Sequence, residues 1–279
     1  MPVPRRRLTS RVMTAATVAA AAFALLPLFA IFGDLVAKGA SSINWDFFVK
    51  NPVPAGSTGG GVANAIVGTL IVVGLGSLIG LPIGIGAGIY LAEYGKGKLA
   101  MTVRFLADVL TGTPSVIVGI FVWTWIVRPM GHFSALSGGI ALSVLTIPMV
   151  TRTTEEMVRL VPGSLREAAL ALGYPRWRAA LTVMVRSAWP GIVTGALVAV
   201  ARIAGETAPL LFTALGNLNF RTNIMQPMQT LSLQIYVYAT GPFEEWHRLA
   251  WGAALVLMAI VLLFSISARL ATRSRFRAR

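Results

Sequence analysis

The sequence predicts an all-α integral membrane protein with six transmembrane helices and both termini in the cytoplasm. Three observations predict it. Apolar residues fill 56% of the 279 positions and charged residues only 12%, with mean hydropathy +0.73; soluble domains carry about 25% charge. Six apolar runs, at about 12–36, 62–91, 108–127, 135–155, 188–212 and 249–269, lie near or above the ~20 residues a helix needs to cross a ~30 Å hydrocarbon core. The alternating pattern of a membrane β-barrel is absent from them.

Orientation follows from the basic residues. Arg5, Arg6, Arg7 and Arg11 precede the first run, and Lys96, Lys98 and Arg104 separate the second from the third. Arg159, Arg166, Arg176, Arg178 and Arg186 fall between the fourth and fifth, and Arg269, Arg273, Arg275, Arg277 and Arg279 close the chain. The other side holds only Lys38, Lys50, Arg128, Arg221 and Arg248. The positive-inside rule places the first set in the cytoplasm. The net charge of +14 then reads as attraction to anionic lipid head groups, not to nucleic acid. The chain divides into a basic cytoplasmic N-terminus (1–11), a transmembrane domain (12–270) and a basic cytoplasmic tail (271–279). A removable signal peptide is the competing reading of the N-terminus, but its apolar run exceeds the usual core of about 7–15 residues.

Taken in order, the first run contains Pro27, which predicts a kink. Residues 38–61 lie outside and end in a glycine-rich turn that lacks the Lys-Ser or Lys-Thr of a phosphate-binding loop. The second run carries Gly76, Gly80, Gly84 and Gly88 near one helical stripe. Lipid gives little hydrophobic drive for helix association, so such a stripe predicts a central helix in close backbone contact with another. The third opens with Asp108 and Thr111-Gly-Thr-Pro-Ser115, which predicts a bend or break. The fourth ends with Arg152, Glu155 and Glu156. Residues 213–248 form a long outer connection, long enough to dock something outside. His132 and His247 are isolated near membrane edges, where interfacial roles outweigh metal binding. Zero cysteines exclude disulfides and thiolate metal sites. No activated nucleophile or paired-carboxylate site supports an enzyme.

Two constellations carry function. The loop of about 156–187 is too charged to span a bilayer and too apolar for a slack linker. It predicts a short amphipathic helix at the inner face, either lying on lipid or docking a soluble partner. Glu167-Ala168-Ala169, with Gly173 six residues after Glu167 and then Pro175, favours docking: alanines permit close packing and glycine ends the helix. The second constellation is Ala201-Arg202-Ile-Ala-Gly-Glu206-Thr-Ala-Pro209 in the fifth run. An arginine or acid at the bilayer centre costs about 2.5–3.5 kcal/mol on translocon scales, so it faces a pore or a partner charge. Arg202 and Glu206 are four apart and able to pair on one helical face. They are either a neutralised structural pair or a charged station on an anion path, where arginine's planar donors suit an oxyanion. Arg152 either lines that path or snorkels to the inner surface.

The loop resembles the EAA motif of bacterial ABC-importer permeases, with Val183 and Trp189 departing from the isoleucine and leucine usual there. Thr111–Gly119, the Arg152 segment and Ala201–Pro209 narrow the resemblance to the phosphate-specific, PstA-type branch, over about residues 12–270. This resemblance implies a non-catalytic permease subunit of MetI-like architecture in the bacterial inner membrane, carrying inorganic phosphate past Arg202, Glu206 and Arg152. It also implies a PstC-type second permease, a PstB-type ATPase dimer and a PstS-type phosphate-binding protein outside. The ATPase uses ATP-Mg and docks at Glu167, Ala168, Ala169 and Gly173; the chain itself binds no cofactor. Import of sulfate, molybdate or an organic solute, and secondary transport without an ATPase, are the alternatives.

Overall fold

A computed structural model describes residues 3–54, 57 and 59–276. The far ends of both basic tails, Arg277 and Arg279 among them, lie outside the described residues, as do Ala55, Gly56 and Thr58 of the glycine-rich turn. Inner and outer sides below follow the charge asymmetry.

Helix α1 (Val3–Gly39) runs through Pro27 and stands largely apart from the body: none of its most apolar stretch is buried. It meets the rest at Gly39, which packs against the Trp251 carbonyl and Leu255. A short outer helix α2 (Trp45–Val49) is capped by Asn44, whose side chain accepts from the Phe47 N–H. Then α3 (Ala63–Glu93) crosses inward. The third run begins earlier than its apolar pattern: α4 (Lys98–Gly112) precedes α5 (Ser115–Met130), and the two are bent by 106° at the Thr113-Pro114 break. Pro114 has no N–H to give the preceding turn, and the residue before a proline is driven out of the helical region. The expected break is therefore present, at the expected residues.

Helix α6 (Ala135–Arg159) starts from Ser134, which caps the Ser137 N–H. Its partnership with α3 is the centre of the fold. Cβ atoms built on Gly76, Gly80, Gly84 and Gly88 would meet Leu142, Thr146, Val150 and Thr154. Each pair is 66 positions apart, and a constant offset means that the two helices run parallel. Four glycines at i+4 spacing make one flat stripe along α3, and α6 lies against it at backbone distance.

Beyond α7 (Gly163–Ala171), α8 (Arg176–Ala204) crosses outward, with a π-helical stretch at Ala180–Met184. The fifth run was expected to continue to 212. The helix instead stops at Ala204, and Gly205-Glu206-Thr207 break it before a single turn, α9 (Ala208–Leu211). Pro209 in that turn cannot supply the N–H that a continuous helix would need.

The expectation of an outer connection over 213–248 needs correction as well. Met228, Leu231, Leu233 and Gln234 are buried, and α10 (Leu231–Ala239) folds back against α3. The Leu231 N–H bonds to the Thr69 hydroxyl, and the Gln229 carbonyl presses on Gly68 so closely that no Cβ would fit. Within it, exposed stretches remain at about 218–225 and 239–244. The last helix, α11 (Glu244–Phe276), returns inward and packs on α1, α8 and α10.

Candidate functional site

The breaks in the third and fifth runs face each other. A cavity of about 200 Å³ is lined by Thr111, Thr113, Pro114 and Ser115 from the first break, and by Arg202, Ile203 and Glu206 from the second. Leu110, Leu145 and Met149 complete its wall. The segments touch directly: a Cβ on Gly119 would lie 2.7 Å from Pro209 Cα. Irregular backbone inside a membrane is tolerated where it is buried in protein or lines a polar cavity.

Depth follows from the neighbours. Ile203 reaches Gly76, 13 residues into the 31 of α3, and Arg202 faces Met149, 14 residues into the 25 of α6. At about 1.5 Å per residue both points lie some 20 Å from the outer helix ends. Arg202 is thus held near the bilayer midplane.

Arg202 and Glu206 share this cavity without pairing. A four-residue spacing brings side chains together only on a continuous helix, and the helix ends between them. The only polar neighbour within reach of the Arg202 guanidinium among the described residues is the soft Met149 Sδ, at 3.8 Å from Nη1. The Glu206 carbonyl accepts from the Ser232 hydroxyl at 2.9 Å, tying the break to α10. The Thr111 hydroxyl donates to the Ala107 carbonyl at 2.7 Å, so it is engaged by its own helix. The N-terminus of α5 opens onto the cavity at Ser115, and the positive end of a helix favours anions.

Arg152 does not line the cavity. It sits just inward, where its guanidinium makes two hydrogen bonds to Asp108 of α4 and stands 3.7 Å from Glu155. Sequence reasoning noted Asp108 only as the start of an apolar run. Its position five residues before the Thr113-Pro114 break was the available signal. Glu155, with its side chain 3% exposed, also holds Arg104 and Arg159, each at 2.7 Å.

At the inner face, α7 carries the second group of expected residues. Glu167 and Ala168 are exposed and Ala169 is buried against the body. Gly173, at φ +80, ends the helix: its N–H bonds to the Leu170 carbonyl and the Tyr174 N–H to that of Ala169. This paired arrangement requires the left-handed conformation that glycine adopts without strain. Around it Leu172 and Trp177 stand 79% and 60% exposed, an apolar surface facing outward from the inner end of the molecule. The loop was expected over 156–187, but only 160–175 lies between the flanking helices, because α6 continues to Arg159 and α8 starts at Arg176.

The family described as "Binding-protein-dependent transport system inner membrane component" matches residues 84–277. The chain belongs to this family. Among relatives, it is 48% identical over 267 residues to the phosphate transport system permease protein PstA of Xylella fastidiosa, covering 95% of this chain and 93% of that one. It is 46% identical over 265 residues to the PstA of Yersinia pestis, covering 95% and 90%. The probable PstA of Methanocaldococcus jannaschii is 39% identical over 253 residues, covering 90% and 89%. Solved structures share the fold at lower identity. A bacterial alginate ABC transporter chain superposes with TM-score 0.69 at 16% identity, covering 98% of this chain and 97% of that one. A chain of the MetNI methionine ABC transporter gives TM-score 0.61 at 21% identity, covering 76% and 93%. The permease is therefore a non-catalytic, multi-pass inner-membrane component of a binding-protein-dependent ABC importer.

Proposed function

We propose that this permease forms one half of the translocation path for inorganic phosphate, with Arg202 as its anion station. The carrying observation is the unneutralised Arg202 guanidinium, held at mid-depth in a small cavity where two broken helices meet. Arg202 is exposed on this subunit, at a depth where a cation without a carboxylate partner is costly, and a transient anion offsets that cost each time it passes. A water's share of liquid volume is about 30 Å³, so about 200 Å³ suits a small oxyanion. Glu206, in the same wall but unpaired, keeps the site from becoming a trap, since a fully positive pocket would hold phosphate too tightly to release it. Arg152, already engaged by Asp108 and Glu155, lies on the inward continuation and acts on the anion only when that pair opens.

In this reading a PstC-type second permease supplies the other half, and a PstS-type protein delivers phosphate from outside. An open, mostly apolar groove of about 870 Å³ between α6 and α8 shares Met149 with the cavity; the second permease covers it, which also closes the path to lipid. A PstB-type ATPase pair docks on the exposed Glu167-Ala168 face and the Leu172 and Trp177 surface, and uses ATP-Mg to rock the helices. The names of the relatives favour phosphate over sulfate, molybdate or an organic solute.

The test is nucleotide-dependent uptake of labelled phosphate by the complete complex in liposomes, with and without Arg202→Ala, in competition with sulfate and molybdate. Arg202→Ala is expected to cut flux at least about tenfold, the effect of losing one charge-assisted hydrogen bond of 1.5–3 kcal/mol, while assembly persists. Normal flux in Arg202→Ala, or effective competition by sulfate, refutes the assignment.

A further inference from the structure

The inner end of α3 is bound to the docking loop by ionic contacts that the transport path does not use. Glu93, the last residue of α3, has its side chain 1% exposed and accepts from Arg166 Nη2 of α7 at 2.7 Å. Arg166 is its only ion-pair partner among the described residues. The backbone of the same turn is captured too. Arg176, the first residue of α8, donates to the Glu93 carbonyl and lies over the Tyr94 ring, 4.9 Å from its centroid. Arg104 of α4 donates to the Leu91 and Gly95 carbonyls at 3.0 and 3.2 Å and to Glu155 of α6 at 2.7 Å. The last carbonyls of a helix have no partner within it and carry the negative end of its dipole, so cations bind there favourably. Three arginines from three elements converge on this one terminus.

The upper part of α3 is no freer. Its glycine stripe seats it against α6 from Gly88 to Gly76, and Gly76 touches Ile203 beside Arg202. A displacement of α7 is thereby transmitted along a continuous path: Arg166 to Glu93, the α3–α6 pair, then the helix break that carries the anion station. We infer that Glu93 is a positioning residue that clamps the docking helix α7 to α3, so that movement of the ATPase drives the α3–α6 pair as one body. The Glu93 carboxylate is buried while the Arg166 side chain stays 34% exposed, so the carboxylate depends on this one cation. Removing one partner of such a pair leaves a stranded charge, whereas a neutral isostere removes the link alone. This inference rests on the docking of an ATPase at α7, and its test separates the two.

Three quantities are measured on the complete complex in liposomes: ATPase co-purification, ATP hydrolysis, and phosphate imported per ATP. Glu93→Gln is expected to retain the ATPase and its hydrolysis but to lose about tenfold in phosphate per ATP, the range of one charge-assisted bond, and Arg166→Gln, which also strands the Glu93 carboxylate, to lose at least as much. Arg166→Lys is expected to recover most of that loss. Because the chain has no cysteine, spin labels at Lys96→Cys and Gly163→Cys, both exposed, report the clamp even if Glu93→Gln assembles poorly. Their distance is expected to stay fixed between nucleotide-free and ATP-bound states in the parent, and to broaden in Arg166→Gln. Unchanged phosphate per ATP in Arg166→Gln, or a label distance that changes with nucleotide in the parent, overturns the clamp while leaving docking intact. If Glu167→Lys leaves the ATPase bound and uptake normal, the docking reading itself falls, and the clamp with it.

Discussion

Consider the stripe that joins α3 to α6. A Cβ on Gly88 would sit 2.5 Å from Thr154 Cβ and 2.6 Å from the Thr151 carbonyl oxygen, while one on Gly86 would meet nothing within 4 Å. Carbon atoms rest at about 3.5–4.0 Å, so Gly88→Ala forces the two helices about 1 Å apart at their inner ends. A gap of 0.5–1 Å forfeits a quarter to a half of each contact's attraction, and overpacking in a close-fitted interior costs about 1–3 kcal/mol. Both substitutions gain the same helix propensity, up to about 1 kcal/mol over glycine. The difference between them therefore isolates the clash. Gly88→Ala should be less stable than Gly86→Ala by about 1–3 kcal/mol, or roughly five- to 160-fold in the folded-to-unfolded ratio. Reversible unfolding of the purified complex in mixed detergent measures it. If the two variants unfold alike, the register of 66 positions between these helices is wrong, and the parallel pairing falls with it.

Two further outcomes follow from the same geometry. Gly173 has open space around it but a φ of +80, so its replacement strains the backbone without a clash, by about 1–2 kcal/mol. Gly173→Val should release the ATPase during purification more readily than Gly173→Asp, since aspartate tolerates this conformation better, while both insert normally; equal retention in both would show that the turn does not shape the docking face. For Arg152, the side-chain exposure of its partners decides the effect. The Asp108 side chain is 59% exposed and that of Glu155 is 3% exposed, so Asp108→Asn should shift thermal stability by less than about 1 kcal/mol. Arg152→Asp sets a carboxylate beside a buried one and should lower the yield of folded complex severalfold. Size-exclusion recovery after heating compares them, and equal losses would count against Glu155 as the inner anchor.

Much of this was written in local sequence. The apolar runs and the distribution of arginines gave the spans and their direction because crossing hydrocarbon is a requirement on consecutive residues. Thr111-Gly-Thr-Pro-Ser115 announced a break because proline acts on its own turn. Gly173 announced the end of α7 for the same reason. The four glycines of α3 announced close packing, but not against which helix.

What the chain could not express locally was left to the folded arrangement. The Arg202 and Glu206 spacing suggested a pair on one face, and the helix stops between them because Gly205 and Pro209 interrupt the hydrogen-bond ladder. Asp108 finds Arg152 44 residues away, and Glu93 finds Arg166 73 away. The residues 213–248 looked like an outer connection because their polar groups suggested water, yet inside the body Gln229 Nε2 donates to Gln234 Oε1 and the Thr230 hydroxyl accepts from the Leu233 N–H. Sequence by itself determined which segments enter the membrane and that the third of them breaks at Thr113-Pro114, since proline acts on its own turn; the break after Ala204 was not legible there. Only tertiary structure decided that the two failures meet in one cavity, because a charge's partner, or its lack of one, is a property of distance in space.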